Sequence, residues 1–229
     1  NAVLDGFTIT NGYGRADTTD TSTYPGAPGY SYGGGIRLYG GTVRNSRIAN
    51  NTCKAGITVQ HSVYAYGGGI WMKTGLVENC EILQNVSIGS GGSSHGFGGG
   101  IDMQGGAIRN CVVSFNLAQG TGNGIGHGGG VRMTGSGSMT GCTVESNRVS
   151  AASNSIESYG GGLYMSGNGV VSNCYFIRNR CLFMQCLGGG VYMSAGLVTD
   201  SQMVSNRCEV PSNHSYLTTQ YAGGVGVWM

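Results

Sequence analysis

Charged residues are scarce in this chain of 229 residues. Only 10% are Asp, Glu, Lys or Arg, and 12 basic against 10 acidic residues give a net charge of +2. Nucleic-acid binding needs a basic stripe that neutralises successive phosphates, and so few scattered basic residues form none. The composition therefore predicts no nucleic-acid partner.

Long apolar runs and helix-forming runs are missing as well. No run of 18 or more apolar residues is present, so we expect no membrane span in this segment. Helical repeats need long stretches of Ala, Leu, Glu and Lys with a period of 3.6. Here Gly is 46 of 229 residues and apolar positions alternate, which favours strands.

What the chain has instead is a repeated unit. Glycine triplets recur at intervals of 28 to 34 residues, and each unit closes on an asparagine. The triplets begin at Gly33, Gly67, Gly98, Gly128, Gly160 and Gly188, with a degraded version at Ala222-Gly223-Gly224. The closing asparagines are Asn11, Asn51, Asn85, Asn116, Asn147, Asn179 and Asn206. Seven such units predict a solenoid, in which a unit buries its apolar face only against its neighbours.

Apolar columns define the inside of the predicted coil. Two columns with period-two spacing follow the glycines and point to the same side. They are Ile36, Ile70, Ile101, Val131, Leu163, Val191 and Val225, and Leu38, Met72, Met103, Met133, Met165, Met193 and Val227. A second pair of columns, running through Val77 and Ile82 in the second unit, completes the core.

Bends separate the strands of each unit. The alternation slips at residues that tolerate the left-handed backbone conformation. These are Asn45, Asn79, Asn110, Gly141, Asn173 and Asp200, and the closing asparagines are predicted to form a second corner and a hydrogen-bonded ladder. We therefore predict an all-β fold with three short strands per coil: a right-handed, single-stranded parallel β-helix of about seven coils, roughly 35 Å tall, forming one domain over 1–229.

The cysteines fall into two columns. Cys80, Cys111, Cys142 and Cys174 follow the first bend, and Ser46 and Ser201 continue their column, which indicates a need for a small side chain. Cys53, Cys181 and Cys208 share another column. Thiols are expected throughout, with one disulfide between Cys181 and Cys208 left open as an alternative.

The alternation of GGGIWM with EILQN, and of GGGLYM with FIRN, resembles the GGA-I and FxxN repeats of chlamydial polymorphic outer-membrane proteins. It is also similar to right-handed parallel β-helix domains of bacterial surface proteins, in which segments like DGFTITNG are frequent. This resemblance implies a passenger- or adhesin-like module at the bacterial cell surface or outside the cell. Because the chain starts within a strand and stops within a repeat, we expect it to be a fragment of a longer surface protein, with exposed strand edges open to end-to-end association.

A catalytic role is the second hypothesis, since pectin lyases and polygalacturonases share the predicted architecture. Their chemistry needs clustered carboxylates, or a metal ion and a base. Asp102 is expected to pair with Arg132 on the next coil, and no two acidic residues share an outward column on adjacent coils. The four histidines lack metal-ligand spacing, and His127 is predicted to join an aromatic stack. We therefore expect no catalytic residue, metal or cofactor here.

One outward column is the candidate binding site. It contains Arg37, Trp71, Asp102, Arg132, Tyr164 and Tyr192. Exposed aromatic rings among polar groups suit sugars, although ordinary cross-strand pairs explain the column too. A non-catalytic surface module that binds a carbohydrate or a host ligand is the preferred function; a polysaccharide lyase or hydrolase and a structural stalk are the alternatives.

Overall fold

The structure, a computed structural model, describes residues 2–17, 29–56, 62–90, 93–151, 157–182, 185–210 and 221–229. Within these ranges every regular element is a strand of two to five residues, and no helix occurs. The strands form five sheets, A to E, and the chain visits them in that order before it starts the next coil in sheet A. This parallel β-solenoid confirms the predicted fold class.

Sheets A, B and E enclose the main core. Sheet A contains Val3–Asp5, Thr42–Arg44, Leu76–Glu78, Ala107–Arg109, Ser138–Thr140, Val170–Ser172 and Leu197–Thr199. Sheet B contains Thr8–Thr10, Arg47–Ala49, Glu81–Leu83, Val112–Ser114, Thr143–Glu145, Tyr175–Ile177 and Gln202–Val204. Sheet E contains Ile36–Leu38, Ile70–Met72, Ile101–Met103, Val131–Met133, Leu163–Met165, Val191–Met193 and Val227–Trp228. The predicted Ile, Val and Met columns meet inside these three sheets.

Sheets C and D form an arm beside that core. Sheet C contains Tyr13–Asp17, Thr52–Gly56, Val86–Ser90, Leu117–Gln119, Arg148–Ser150, Arg180–Leu182 and Arg207–Glu209. Sheet D contains Gly29–Tyr32, Val63–Tyr66, Ser93–Phe97, Gly126–His127, Glu157–Tyr159, Gln185–Leu187 and Tyr221–Gly223. Thr121–Gly122 adds to sheet D as the one antiparallel pairing among the described strands. Small residues such as Cys53, Ala55 and Ala65 face each other between the two sheets, so the sheets approach closely.

Each coil therefore has five strands, and the prediction of three is wrong. The two additional strands come from the segment between the closing asparagine and the glycines, for which no strand had been predicted. In the structure this segment goes out along sheet C and returns along sheet D. Its inward side chains are too small to give the strong apolar alternation that marks the other three strands.

The glycine triplet lies where the two halves of the arm meet the core, as Gly98-Gly99-Gly100 shows. Gly98 has φ +57, the left-handed turn from sheet D to sheet E. A Cβ on Gly99 would lie 2.4 Å from the backbone carbonyl carbon of Leu117, and one on Gly100 would lie 3.0 Å from Nδ2 of Asn116. Three glycines are needed because the first is left-handed, and the second and third pack against backbone and side-chain atoms that follow the sheet B strand of the next coil.

The closing asparagines are buried and form a continuous ladder. The Nδ2 group of Asn116 donates to the carbonyl of Ile82 at 2.9 Å and to Oδ1 of Asn147 at 2.9 Å. Its Oδ1 accepts from the backbone N–H of Asn85 at 2.9 Å and from Nδ2 of Asn85 at 3.0 Å. The same pattern runs from Asn51 to Asn206. The predicted ladder is confirmed.

The bends behave as predicted at the first corner and differ by one residue at the second. The first-corner residues, from Asn45 with φ +49 to Asp200 with φ +47, are all left-handed. At the second corner the left-handed residue is the one before the closing asparagine, such as Phe115 before Asn116. In the first coil Asn11 is that corner residue and Gly12 occupies the ladder position, so the interpretation of Asn11 as a closing asparagine is wrong.

The last coil also differs in register. The left-handed glycine is Gly224, and Val191 pairs with Val227 rather than with Val225. The glycine triplet of this coil is therefore Gly224-Val225-Gly226, two residues later than predicted. Gly223 is the last residue of the sheet D strand, so Ala222-Gly223-Gly224 looks like a glycine triplet in the sequence but is not one in the structure.

Candidate functional site

The predicted outward column is in register on sheet E. Arg37, Trp71, Asp102, Arg132, Tyr164 and Tyr192 are cross-strand neighbours in that order. The corrected register of the last coil adds Trp228 next to Tyr192. The three C-terminal rings stack in parallel: Tyr164 on Tyr192 at 5.0 Å and Tyr192 on Trp228 at 4.9 Å.

A second aromatic column stands beside it on sheet D, immediately before the glycines. It contains Tyr32, Tyr66, Phe97, His127 and Tyr159, with successive ring centroids 5.2 to 5.3 Å apart. The Gly turn brings the two columns together, so that His127 stacks on Tyr164 at 4.2 Å. The prediction that His127 joins an aromatic stack is confirmed.

A third, shorter row lies further out on sheet D. Tyr30 stacks on Tyr64 at 5.4 Å, and Tyr64 stacks on His95 at 4.7 Å. We call the combined surface the aromatic band. It consists of Tyr30, Tyr32, Tyr64, Tyr66, Trp71, His95, Phe97, His127, Tyr159, Tyr164, Tyr192 and Trp228.

The aromatic band covers a buried ion pair. Nη1 of Arg132 lies 2.8 Å from Oδ2 of Asp102, as predicted, and the carboxylate is only 1% exposed. The guanidinium carbon lies 4.2 Å from the ring centroid of Phe97, which adds a cation–π contact. Burial raises the pKa of Asp102, and the charge and hydrogen bond of Arg132 oppose that rise.

The expected exposure of this column is wrong at its centre. Trp71 is 5% exposed, because Tyr32 and Tyr39 contact its ring edge-on at 5.1 and 5.2 Å. Arg37 is exposed and lies over Tyr32, whereas Arg132, Tyr164 and Tyr192 are partly buried. The indole Nε1 of Trp71 has no hydrogen-bond partner among the described residues. Sequence spacing predicts the direction of the Trp71 side chain, but not the rings of Tyr32 on sheet D and of Tyr39 after the sheet E strand that cover it.

Burial changes the protonation of groups in the band. It lowers the pKa of His127 well below 6.5, and the charge of Arg132 lowers it further. It also raises the pKa of Tyr159, whose neighbour Glu157 adds to the shift. At neutral pH His127 is therefore a neutral imidazole and Tyr159 a neutral phenol.

The cysteine ladder is built from hydrogen bonds as well as size. Sγ of Cys111 donates to the carbonyl of Arg109 at 3.1 Å and accepts from the backbone N–H of Cys80 at 3.4 Å. At one end of the ladder Ser201 accepts from the N–H of Cys174 at 3.1 Å through its hydroxyl. Serine replaces cysteine here because it repeats both bonds, a requirement that the sequence interpretation had missed.

The other cysteines are thiols in the arm. Cys181 and Cys208 are cross-strand neighbours in sheet C, without a disulfide between them. Burial raises the pKa of Cys53 to about 11, so this thiol is protonated at neutral pH. No three His, Cys, Asp or Glu side chains in the described ranges lie close enough together to hold a metal ion. Of the four histidines, His61 and His214 lie outside the described residues.

No described segment is a helix of the length and hydropathy that a bilayer span requires. No protein-family model, curated protein or solved structure matches the chain. The resemblance to chlamydial repeats therefore depends on the GGG and I-x-x-N sequence motifs. The structure shows the parallel β-solenoid fold.

Proposed function

We propose that this chain is a non-catalytic module of an extracellular or bacterial cell-surface protein, passenger- or adhesin-like, that binds a carbohydrate or host ligand on its aromatic band. The observation that carries the proposal is the continuity of the band, which reaches every coil from Tyr30 to Trp228. Trp71, Phe97 and His127 are buried within the band, whereas its tyrosines are partly exposed, with Tyr30 at 45%, and contiguous exposed aromatic surface often marks a binding site. The solenoid supports such a surface rigidly, because every ring is held by a strand with neighbours in register.

The stacking geometry specifies how a ligand would contact the band. At the C-terminal end of the band the rings on successive coils lie nearly parallel, with an interplanar angle of 2° between Tyr164 and Tyr192 and 4° between Tyr192 and Trp228. Because the faces of these rings stack on one another, only the ring edges and the phenol hydroxyls can contact a ligand. A polymer with hydroxyl groups, lying along the solenoid axis, can exchange hydrogen bonds with successive tyrosines.

Removing hydroxyls while keeping the rings tests this proposal. The double variant Tyr164→Phe/Tyr192→Phe retains the stack, and Tyr175→Phe is its control, since Tyr175 is 45% exposed on sheet B outside the band. On a glycan array, a ligand of the wild type should bind the double variant about twofold to tenfold more weakly, as expected for one lost hydrogen bond. Equal binding by wild type and double variant would remove the band as the site. Binding to no glycan or host protein would favour the structural stalk.

The carboxylates favour binding over catalysis. Asp102 is buried against Arg132, Glu145 pairs with Arg178, and Glu209 pairs with Arg180. An acid held by a cation is a poor general acid or base. Release of new reducing or unsaturated ends from pectin or alginate would show that the lyase or hydrolase hypothesis is correct instead.

A further inference from the structure

A cleft of about 530 Å³ opens at the corner between sheets B and C, over the last four coils. It lies apart from the aromatic band, which belongs to sheets D and E. Its lining residues come from the second corner and from the start of sheet C. They are Phe115, Ser146, Arg178, Arg180, Ser205 and Arg207.

Positive charge is concentrated at this cleft. Arg148, Arg180 and Arg207 are direct cross-strand neighbours on sheet C, and Arg178 stands at the corner beside them. Two glutamates partly balance these four arginines, which leaves two positive charges. The whole chain has a net charge of +2, so the eight basic and eight acidic residues elsewhere cancel. The region of the cleft is therefore positively charged in a chain whose other charges cancel in sum.

These arginines remain available to a ligand. Nη2 of Arg180 lies 2.5 Å from Oε2 of Glu209, and Arg207 reaches the same carboxylate at 3.8 Å. Their side chains are still 49% and 69% exposed, and that of Arg178 is 61% exposed. Each guanidinium has five N–H donors, of which these pairs use a fraction. Like charges directly opposite each other destabilise a sheet, so an anion between them would be favourable.

Phe115 at the rim is the second, independent observation. It has φ +56 and is 61% exposed. The same corner is occupied by Asn50, Gln84, Ser146, Arg178 and Ser205 in the following or preceding coils. Because every coil turns through the left-handed region at this corner, the conformation of Phe115 belongs to the fold, and what distinguishes this coil is an apolar ring at an exposed position. Phe115 has no aromatic ring contact within the described structure, and its exposure leaves the ring accessible to a ligand.

We propose that this cleft binds an acidic polysaccharide. Guanidinium groups match carboxylate and sulfate groups through paired hydrogen bonds, and successive arginines one coil apart, about 4.8 Å, suit successive anionic groups of a polymer. The open face of Phe115 packs against the apolar face of a sugar ring, and the hydroxyls of Ser146 and Ser205 reach its hydroxyl groups. The site shares no residue with the aromatic band and is tested separately from it.

The test compares charge removal inside and outside the cleft. Binding to polygalacturonate, heparin and neutral dextran is measured by calorimetry for wild type, Arg180→Gln/Arg207→Gln and Arg44→Gln/Arg47→Gln. The control pair removes the same charge at exposed residues paired with Asp5 and Glu81. We expect polygalacturonate or heparin to bind and dextran not to bind. The cleft variant should lose about tenfold or more in affinity, and the control less than about twofold.

Phe115→Asn is the second variant, because asparagine accepts the left-handed conformation and leaves the charges intact. It should fold as wild type by circular dichroism and bind about threefold to tenfold more weakly. Binding of polygalacturonate alone assigns a carboxylated polymer, and binding of heparin alone a sulfated one. The proposal is overturned if neither polymer binds, if both double variants weaken binding equally, or if single-stranded DNA competes as tightly as the polysaccharide.

Discussion

Replacing one rung of the asparagine ladder tests whether the ladder stabilises the solenoid. In Asn116→Ala the buried backbone N–H of Asn85 loses its acceptor, and the carbonyl of Ile82 loses its side-chain donor. Nδ2 of Asn85 loses the same acceptor but keeps the carbonyl of Ile48 at 2.9 Å, and Asn147 Oδ1 keeps the backbone N–H of residue 116 at 3.0 Å, so most of the cost comes from the first two groups. Each buried group left unpaired costs about 1–3 kcal/mol, which predicts a loss of about 2–6 kcal/mol.

The assay is urea unfolding, followed by far-ultraviolet circular dichroism and by the fluorescence of buried Trp71. Asn168→Ala is the control, because Asn168 is exposed and its change should stay within about 0.5 kcal/mol. A loss for Asn116→Ala within about 1 kcal/mol of the control would refute the reasoning, since the ladder would then contribute little.

Three further predictions follow from the same contacts. Cys111→Ser should keep wild-type stability to within about 1 kcal/mol in urea unfolding, whereas Cys111→Ala should lose about 1–3 kcal/mol, because the N–H that the thiol accepts is buried. Gly99→Ala should lose about 1–3 kcal/mol or more, and Gly105→Ala, where a Cβ meets its nearest atom at 3.3 Å, should lose less. Because the folded-state pKa of His127 is depressed, its contribution to stability is present above 6.5 and is lost as pH falls below that value; thermal unfolding of His127→Phe should show a shallower loss on acidification, and an unchanged slope would contradict the burial argument.

Period and side-chain chemistry were sufficient to predict most of the solenoid. Asn45 and its equivalents marked the first corner because their side chains tolerate the left-handed backbone, and the structure has φ +49 there. The column from Ile70 to Val191 is buried because alternation fixes which side of a strand faces inward. The pairing of Asp102 with Arg132 followed from opposite charges one coil apart.

What the sequence did not reveal depends on contacts between segments distant along the unit. The arm was missed because small residues such as Cys53 and Ala65 pack two sheets without an apolar alternation. The burial of Trp71 depends on Tyr32 of the preceding coil and on the angle between sheets D and E. The last register was misjudged because Gly223, a strand residue, imitated a turn glycine.

The arginines of the cleft occupy one repeated position in the sequence. The residue after the closing asparagine is Arg in three successive units, at Arg148, Arg180 and Arg207. In a stacked coil, equal positions become neighbours, so three arginines at one position predict a local positive charge. The left-handed conformation of Phe115 was not predictable, because an aromatic residue is disfavoured there.

The direction of the backbone hydrogen bonds also determines how the molecule responds to force. In all five sheets these bonds join one coil to the next, so tension between the chain ends loads the coils in series. The outermost coil detaches first, while the remaining coils keep the contacts that they make with one another. One coil of about 31 residues releases roughly 105 Å of chain when it is pulled straight. Stretched in an optical trap, the solenoid should lengthen in discrete steps. Each step should correspond to the extended length of one sequence repeat.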